Sequence, residues 1–418
     1  MKVPSYYKKV CRFKNLERAW RKVYGNGIKS SSQETRNEII EYNKNVYANI
    51  NQISLHLKVK KIKFLPSKGI PVKRAGKKPR PIVSAPIPNK IVQRSILDVL
   101  QGNSKVKRYI SVPTSFGGLK DTGVKDAITM AHNSILNGAK WYLRTDIENF
   151  LGAIPRDNIL STIASFINDA DFNNLLASAV ETELSNLEIL GKNKDLFPIE
   201  DIGVAQGCCL SPLIGNILLH DFDKQMNGRG IICLRYIDDI LILGKKQIQI
   251  KVASENAKIF LNSLGLTIYD PFICQEKAKA GETKNGIEFL GCEILPDVIR
   301  PAKKSQKKLL KKIDDILKDS SSLMSSPENL YSSKKSIIDT LSYISNVIKG
   351  WGNQYSFCND KNVNGYLDKE ICFKIKKYIH HFTKTKRRLI LSDTKAIRRI
   401  LGVHLLCDSN EAPIIKDS

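Results

Sequence analysis

The 418-residue chain is longer than one compact core usually holds, which favours two or three lobes. It carries 67 Lys and Arg against 41 Asp and Glu, a formal net charge of +26. No run approaches the ~18 apolar residues of a membrane span, the first residues lack the apolar part of a secretory signal, and the nine cysteines show no paired spacing. These features argue against a membrane, secreted or zinc-binding protein and predict a cytoplasmic one.

The positive charge is concentrated at the two ends of the chain. Residues 1–100 carry 23 Lys and Arg against 5 Asp and Glu, and residues 301–418 carry 23 against 12, whereas the middle is slightly acidic. A solvated lysine surface is the simple alternative. Two basic flanks of this size favour a polyanionic partner, and we expect a nucleic acid.

The first third of the chain is predicted to be helical around one basic hairpin. Residues 1–65 are expected to be helical, with one periodic stretch over 36–62. Pro and Gly residues between positions 71 and 86 predict a hairpin or loop. Helices are predicted again over 90–100 and after residue 122, following a pair of glycines.

Short strands alternate with helices in the middle of the chain. We predict strands over 141–146, 230–244 and 286–295, with helices over 156–190, 211–227 and 253–264. This order is compatible with a split βαβ, ferredoxin-like sheet. Beyond residue 303 the pattern is helical, and we predict a linker where it is broken by Ser320-Ser321-Ser322 and Ser325-Ser326-Pro327.

Two adjacent carboxylates, Asp238 and Asp239, lie between the apolar runs 231–234 and 240–243. Burying them without a cation is costly, so we predict a hairpin tip that holds a divalent metal. Asp146 ends a strand that such a sheet can place beside this hairpin, and three carboxylates suit two Mg²⁺ ions. An exposed Asp-Asp turn and a helix N-cap at Asp146 are the simpler alternatives.

Five segments in order resemble the motifs of reverse transcriptases, especially bacterial enzymes similar to those of group II introns and retrons. They are Pro-Arg-Pro-Ile at 79–82, Asp-Ile-Glu-Asn-Phe-Leu at 146–151, the Gln-Gly segment at 205–216, Tyr-Ile-Asp-Asp at 236–239 and Phe-Leu-Gly at 289–291. The resemblance covers about residues 60–300, with a weaker thumb-like segment at 347–351.

The resemblance implies an α+β fold of the right-hand polymerase type. Its parts would be a basic helical extension at 1–65, fingers at 66–140, a ferredoxin-like palm at 141–300 that includes fingers helices at 156–200, and a basic helical thumb at 301–418.

The resemblance also assigns roles to individual residues. Asp146, Asp238 and Asp239 would be catalytic and would hold two Mg²⁺ ions together with the carbonyl of Ile147, with Mn²⁺ as the alternative ion. The incoming nucleotide would contact Lys73, Arg80, Leu151, Gln206, Gly207 and Lys277. Phe289, Leu290 and Gly291 would form a primer grip, and Trp351 and Tyr355 would stack on nucleic acid.

Each of these roles has an alternative. A solvated basic loop explains Lys73 and Arg80, and a simple turn explains Gln206-Gly207. Lys279 competes with Lys277, and core packing explains the primer-grip segment, Trp351 and Tyr355. Leu151 stands where the family usually has an aromatic ring that excludes a 2′-hydroxyl. Leucine is still bulky, so DNA synthesis remains the expectation.

A compact chain with one polymerase core and a basic helical C-terminal part resembles the unknown-group, defence-associated bacterial reverse transcriptases. That resemblance implies an RNA-directed DNA polymerase that makes cDNA from a structured non-coding RNA, using dNTPs, in antiphage defence. The alternatives are a retron reverse transcriptase and a group II intron-encoded reverse transcriptase or maturase. Two further classes are a nucleic-acid-binding protein with an inactive polymerase fold and an RNA-dependent RNA polymerase. No membrane partner is expected, and the sequence indicates no oligomeric state.

Overall fold

The computed structural model describes residues 5–74, 76–198, 201–271, 273–274, 276–324, 336–390 and 394–403. The chain divides into two compact units, Met1–Thr283 and Lys284–Ser418. This agrees with the expectation of two or three lobes. The finer division into extension, fingers, palm and thumb stays a prediction.

Helices make up most of the first unit. They are α1 (Tyr6–Cys11), α2 (Phe13–Gly27), α3 (Gln33–Lys44), α4 (Val46–Lys58), α5 (Ile87–Gln101), α6 (Ser104–Ile110), α7 (Val124–Leu136), α8 (Arg156–Phe166), α9 (Ala170–Val180), α10 (Leu187–Leu190), α11 (Ser211–Leu218), α12 (His220–Gln225) and α13 (Gln247–Ser263). Among the described residues of the whole chain, no helix has the length and apolar character that a bilayer crossing needs.

Two stretches predicted as single helices are each divided in two. The stretch over 36–62 is interrupted at Asn45, whose backbone leaves the helical region (φ −119°, ψ 28°) between α3 and α4. The stretch over 211–227 is interrupted at Leu219, between α11 and α12. Asparagine is a weak helix former, which explains the first break, whereas Leu219 is a good one and its break follows from packing.

Three antiparallel sheets contain the strands of the described residues. The first is a hairpin of β1 (Lys68–Arg74) and β2 (Lys77–Ser84), as predicted for the basic Pro- and Gly-rich segment. The second has the order β4-β5-β3-β6, and the third the order β7-β8-β9. Their strands are β3 (Trp141–Asp146), β4 (Ile231–Tyr236), β5 (Asp239–Gly244), β6 (Lys279–Glu282), β7 (Ile287–Phe289), β8 (Cys292–Ile294) and β9 (Ile299–Pro301).

The four-stranded sheet differs from the predicted one at its edge. We expected the strand pair over 286–295 to complete it, but β6 occupies that edge and pairs with Trp141–Arg144 of β3. The predicted pair is present as β7 and β8, and it belongs to the separate three-stranded sheet of the second unit. The expectation was wrong because β6, with the sequence Lys-Ala-Gly-Glu, lacks the apolar residues that mark a strand.

The centre of the four-stranded sheet is fully buried. Ile240, Leu241, Ile242 and Leu243 of β5 are each at most 1% exposed. Because successive strand residues point to opposite faces, both faces of β5 must be covered. Helix α13 packs against β3 and β5, and helix α7 packs against β4 and β5. This burial ends at Asp239, the first residue of β5, which is partly exposed.

Long helices form most of the second unit. They are α14 (Lys303–Met324), α15 (Ile337–Gln354), α16 (Lys361–Ile390) and α17 (Thr394–Leu401). Ser320-Ser321-Ser322 was predicted as part of a linker, but it lies within α14. The physical reason is that the Ser320 hydroxyl is buried and hydrogen-bonded to Tyr378 Oη at 2.7 Å and Thr340 Oγ1 at 3.0 Å. Ser325-Ser326-Pro327 lies outside the described residues.

Candidate active site

Three aspartates meet at one end of the four-stranded sheet. Asp146, the last residue of β3, is directly opposite Asp239, the first residue of β5, in the antiparallel register. Asp238 lies in the two-residue turn between β4 and β5, and its carbonyl accepts a hydrogen bond from the Ile147 backbone N–H at 3.0 Å. The sequence prediction that Asp146 converges on Asp238 and Asp239 therefore agrees with the observed geometry.

Burial and neighbouring negative charges at this sheet end raise the pKa values of two carboxyl groups. Burial, a hydrogen bond to Asp146 and the charges of Asp146 and Asp238 raise the pKa of Asp239 to about 8. Burial, and then the charge of Asp146, raises the pKa of Asp238, while Lys277 and Arg80 oppose that shift. Asp239 therefore carries a proton at neutral pH and shares it in the hydrogen bond to Asp146.

The ammonium group of Lys277 compensates part of this negative charge. The Lys277 ammonium donates a hydrogen bond to Asp146 Oδ2 and lies 5.4 Å from the centre of the Tyr269 ring. Burial acts to lower the pKa of Lys277, but the hydrogen bond and charge of Asp146 outweigh it and raise the pKa. Lys279, the competing candidate, lies in β6 opposite Arg144. The structure thus places Lys277 at the aspartates.

The ligand types at this site suit a hard divalent cation, because carboxylate and carbonyl oxygens are what Mg²⁺ binds. In the described part of the chain, however, no group of three or more His, Cys, Asp or Glu side chains is arranged to hold a metal ion. Asp146 is engaged instead by Lys277 and by Asp239. The donor set fits a divalent cation once Lys277 releases Asp146 and the shared proton leaves.

The metal-free protein is expected to lose stability relative to Asp239→Asn as the pH rises. The folded chain raises the pKa of Asp239 from 3.8 to about 8, so the folded state binds this proton more tightly than the unfolded state. The stabilisation is complete below about pH 4 and is lost as the pH rises through about 8.

Urea denaturation in EDTA at several pH values between about 5 and 9 measures this effect. The free energy of unfolding of the wild type should fall by up to about 1 kcal/mol per pH unit relative to the variant. A difference between the two proteins that does not change with pH would contradict the shared proton.

The turn that carries Asp238 is strained. Ile237 has a φ of +62°, a conformation that costs a β-branched residue about 1–3 kcal/mol. Two-residue hairpin turns usually place Gly or Asn at such positions. The surrounding structure must therefore impose this conformation on Ile237.

Gly117 makes room for the strained turn. A Cβ atom on Gly117 would lie 2.4 Å from Ile237 Cγ1 and 2.8 Å from its backbone N. The segment 114–118 runs beside the end of β4, since Arg235 N–H donates to Thr114 O at 2.9 Å and Phe116 N–H donates to Arg235 O at 3.0 Å. Sequence reasoning missed this role, although the adjacent glycines Gly117 and Gly118 were an available signal.

A second group of predicted residues assembles around Gln206. Arg80 Nε donates to Gln206 Oε1 at 3.0 Å, and Val83 N–H donates to Gln206 O at 2.8 Å, so the segment runs along β2. Leu151 is tied to the same segment, because Val204 N–H donates to its carbonyl at 2.7 Å. Lys73 is exposed at a bulge in β1, next to Val72, which pairs with Arg80.

Comparison with known families identifies the class of this site. The family described as reverse transcriptase (RNA-dependent DNA polymerase) matches residues 70–294, more than half of the chain. The chain belongs to the reverse transcriptase family. The matched span begins in β1 and ends in β8, so it contains all three aspartates. The predicted α+β polymerase fold and the resemblance to intron-related enzymes are thereby confirmed.

Relatives of this reverse transcriptase match it over less than half of its length. The uncharacterized 91 kDa protein in the cob intron of Schizosaccharomyces pombe is 26% identical over 42% of this chain and 20% of its own. Protein YkfC of Escherichia coli is 22% identical over 40% of this chain and 42% of its own. The chain thus spans between a fifth and about two fifths of these relatives.

Solved structures with a similar backbone are more distant. The telomerase of Candida albicans, in complex with a fragment of telomeric RNA, is 12% identical, with a TM-score of 0.40 over 81% of this chain and 62% of its own. A partial Cas6-RT-Cas1–Cas2 complex is 17% identical, with a TM-score of 0.36 over 60% of this chain and 42% of its own.

Gly207→Ala is expected to destabilise this reverse transcriptase and to weaken dNTP binding. Gly207 has a φ of +119°, and a Cβ atom there would lie 2.7 Å from Val83 O. Relieving that overlap must move Gln206 and Val83 apart, at a cost of about 1–3 kcal/mol. Thermal unfolding and the KM for dNTP measure the two effects.

Gly228→Ala is the matched control for Gly207→Ala. Gly228 has nearly the same φ, of +122°, but nothing lies within 4 Å of its Cβ position. It shares the backbone penalty without the overlap. Equal losses of stability and of dNTP affinity in the two variants would show that the close contact between Gly207 and Val83 O is not what makes Gly207 necessary.

The predicted primer-grip residues form a tight turn in the second unit. Phe289 pairs with Cys292 across this turn, which contains Leu290 and Gly291, both with positive φ. The carbonyl of Gly291 accepts hydrogen bonds from Ala302 N–H at 2.9 Å and from Ser305 Oγ at 3.0 Å. Their role toward a primer stays a prediction.

One residue of the aromatic pair in the second unit is buried in a way that indicates a packing role. Trp351 and Tyr355 have ring centroids 4.7 Å apart. Tyr355 is only 9% exposed, and its hydroxyl lies 2.9 Å from the Cβ position of Gly291. Stacking on nucleic acid remains a prediction for the half-buried Trp351, whereas the burial of Tyr355 supports the alternative of core packing.

Proposed function

We propose that this reverse transcriptase is an active RNA-directed DNA polymerase with two Mg²⁺ ions, or Mn²⁺ in their place, at Asp146, Asp238, Asp239 and the carbonyl of Ile147. The observation that supports this most is the register that sets Asp146 opposite Asp239, with Asp238 in the adjoining turn. Metal ions there would lower the pKa of an attacking hydroxyl and stabilise charge on the transferring phosphoryl group.

The group around Gln206 is proposed to bind the incoming dNTP. Arg80 supplies a planar cation suited to a triphosphate, and Gln206 orients it through the 3.0 Å hydrogen bond. Gly207 allows close approach of the backbone, while Leu151 bounds the same pocket and opposes a 2′-hydroxyl by its bulk. Lys73 contributes charge from the edge of the hairpin.

Lys277 is proposed as the acid that protonates departing pyrophosphate. Its pKa is raised by Asp146, so the ammonium form persists at neutral pH. It lies at the aspartates, where the leaving group of a two-metal reaction departs. This role requires the same release of Asp146 that metal binding requires.

We further propose that the template is a structured non-coding RNA, that the product is cDNA, and that the setting is antiphage defence in the cytoplasm. The two basic flanks support a polyanionic partner. A group II intron-encoded enzyme is the second candidate. It is favoured by the relatives from the cob intron of fission yeast and from COX1/OXI3 intron 2 of Saccharomyces cerevisiae. A retron enzyme is the third.

Primer extension on an RNA template with Mg²⁺, offered dNTPs or NTPs separately, tests the polymerase function. Wild type should extend with dNTPs, and Asp238→Ala/Asp239→Ala should not. The control Asp315→Ala/Asp319→Ala removes two exposed aspartates of α14 and should extend normally. Extension by the Asp238/Asp239 variant would contradict the metal site, and extension with NTPs alone would indicate an RNA polymerase.

Sequencing the RNA and DNA that co-purify with the chain tests its biological setting. A non-coding RNA encoded beside the gene, with matching cDNA, supports the defence proposal. Intron RNA would support the second candidate, and DNA joined covalently to its own template RNA would support a retron.

A further inference from the structure

A buried arginine lies directly behind the aspartate turn. The side chain of Arg235, two residues before Ile237, is 0% exposed, and that of its partner Asp223 is 2% exposed. Arg235 Nε donates to Asp223 Oδ1 at 2.7 Å, and Nη2 donates to Asp223 Oδ2 at 2.5 Å. This two-bond geometry fixes the plane of the guanidinium.

The remaining guanidinium hydrogens reach three other parts of the first unit. Nη2 donates to Ser115 Oγ at 2.7 Å, and Nη1 donates to Asn216 Oδ1 at 3.0 Å and to the carbonyl of Ile237 at 3.0 Å. An arginine has five N–H groups, and five acceptors surround this one. Lysine has three N–H groups and cannot reproduce the planar arrangement.

These bonds join the elements that shape the turn. Asn216 also donates from Nδ2 to Gly117 O at 2.8 Å, and Gly117 is the residue whose missing Cβ admits Ile237. Ser115 lies in the same segment. The Ile237 carbonyl is thus held by Arg235, while Gly117 packs closely against the side chain and backbone nitrogen of Ile237.

We propose that Arg235 is a positioning residue of the polymerase site, which holds Ile237 in its strained conformation and so sets the direction of Asp238. Asp223, Asn216 and Ser115 orient the guanidinium for this task. The proposal rests on the proposed polymerase function. It adds a residue that touches neither metal nor substrate. Arg235 would determine whether the carboxylates of Asp238 and Asp239 can bind metal ions together.

A role in packing alone is the rival explanation for this network. A buried ion pair often adds little net stability over apolar residues of similar size, while removal of one partner alone is strongly destabilising. Replacing both partners therefore separates the two roles. Arg235→Met/Asp223→Leu leaves no unpaired charge but removes the donor to Ile237 O.

The experiment compares wild type, Arg235→Met/Asp223→Leu, Arg235→Lys and the control Arg94→Met/Asp98→Leu. Arg94 and Asp98 form another ion pair of the first unit, at 3.0 Å, with Asp98 only 7% exposed. Asp98 also pairs with Lys22 and Arg18, but both of these are exposed, so the loss of their partner should cost little. Thermal unfolding reports folding, and single-nucleotide incorporation gives kcat and the KM for dNTP. Electron paramagnetic resonance of Mn²⁺ gives metal affinity without turnover.

Loss of positioning should lower kcat by about 10- to 100-fold and weaken Mn²⁺ binding by about 10-fold in both Arg235 variants. The KM for dNTP and the control pair should change little. Wild-type kcat and Mn²⁺ affinity in folded Arg235→Met/Asp223→Leu would overturn the proposal. If that variant does not fold, the same result in Arg235→Lys overturns it.

The readouts separate this proposal from the function on which it rests. A wild type that extends no primer contradicts the proposed polymerase function. The Mn²⁺ measurement still decides the role of Arg235 in that case, because weaker binding in the Arg235 variants supports positioning and unchanged binding contradicts it.

Discussion

Asp146→Asn is expected to abolish DNA synthesis while the chain remains folded. Asparagine has nearly the shape of aspartate, so β3 and its register opposite Asp239 are preserved. The charge that holds Lys277 is lost, and with it a metal ligand. Metal ions supply several kcal/mol of transition-state stabilisation, so the rate should fall by about 10³-fold or more.

Single-turnover incorporation of one dNTP at saturating Mg²⁺ measures the Asp146→Asn effect. Asp221→Asn is the control, since Asp221 is an exposed aspartate of α12 and should leave the rate unchanged. Thermal unfolding of both variants shows whether they fold. A folded Asp146→Asn protein within about tenfold of the wild-type rate would show that Asp146 is not a metal ligand of the reaction.

Arg80→Ala is expected to raise the KM for dNTP by about 10- to 100-fold. A hydrogen bond from a charged group contributes about 1.5–3 kcal/mol, which corresponds to this range. The guanidinium is already oriented by Gln206, so little ordering is needed when a triphosphate binds.

Lys73→Ala is the matched control for Arg80→Ala. Both residues are exposed on the β1–β2 hairpin and carry one positive charge, but Arg80 is oriented by its hydrogen bond to Gln206, whereas Lys73 lies at the bulge. We expect a rise in KM of less than about fivefold, which weakens further with added salt. Equal effects of the two substitutions would show that the hairpin contributes only general positive charge.

The parts of the fold that were predictable from the sequence have strong local signals. Strand β3 has its predicted bounds, and β4 and β5 fall within the predicted hairpin, because their runs of apolar residues lie in a fully buried sheet. The Asp238-Asp239 pair was conspicuous for the same reason, since a charged pair between such runs is costly without a cation.

Elements without a local signal were not predictable. Strand β6 is polar and is recognisable only from its pairing with β3. Ser320 was predicted from the sequence to be a linker residue, yet its hydroxyl is hydrogen-bonded to Tyr378, 58 positions away in the chain. Local patterns carry no information about such partners.

Arg235 shows the same limit within the site. Its acceptors lie 12 positions away at Asp223 and 120 positions away at Ser115. In the sequence it is one arginine at the end of an apolar strand, and its burial depends on three segments that converge only in the folded chain. The aspartates are predictable from a motif, whereas the hydrogen-bond network of Arg235 behind them is not.

Counting the Mn²⁺ ions in a stalled complex tests the two-metal centre most directly. The complex contains the protein, an RNA template, a dideoxy-terminated DNA primer and the next matching dNTP, and electron paramagnetic resonance gives the number of bound ions. Wild type should hold two ions per complex, and Asp238→Ala/Asp239→Ala should bind the primer and template but lose this pair. Two ions retained by the variant, or none held by wild type, would contradict the assignment of the metal centre to Asp146, Asp238 and Asp239.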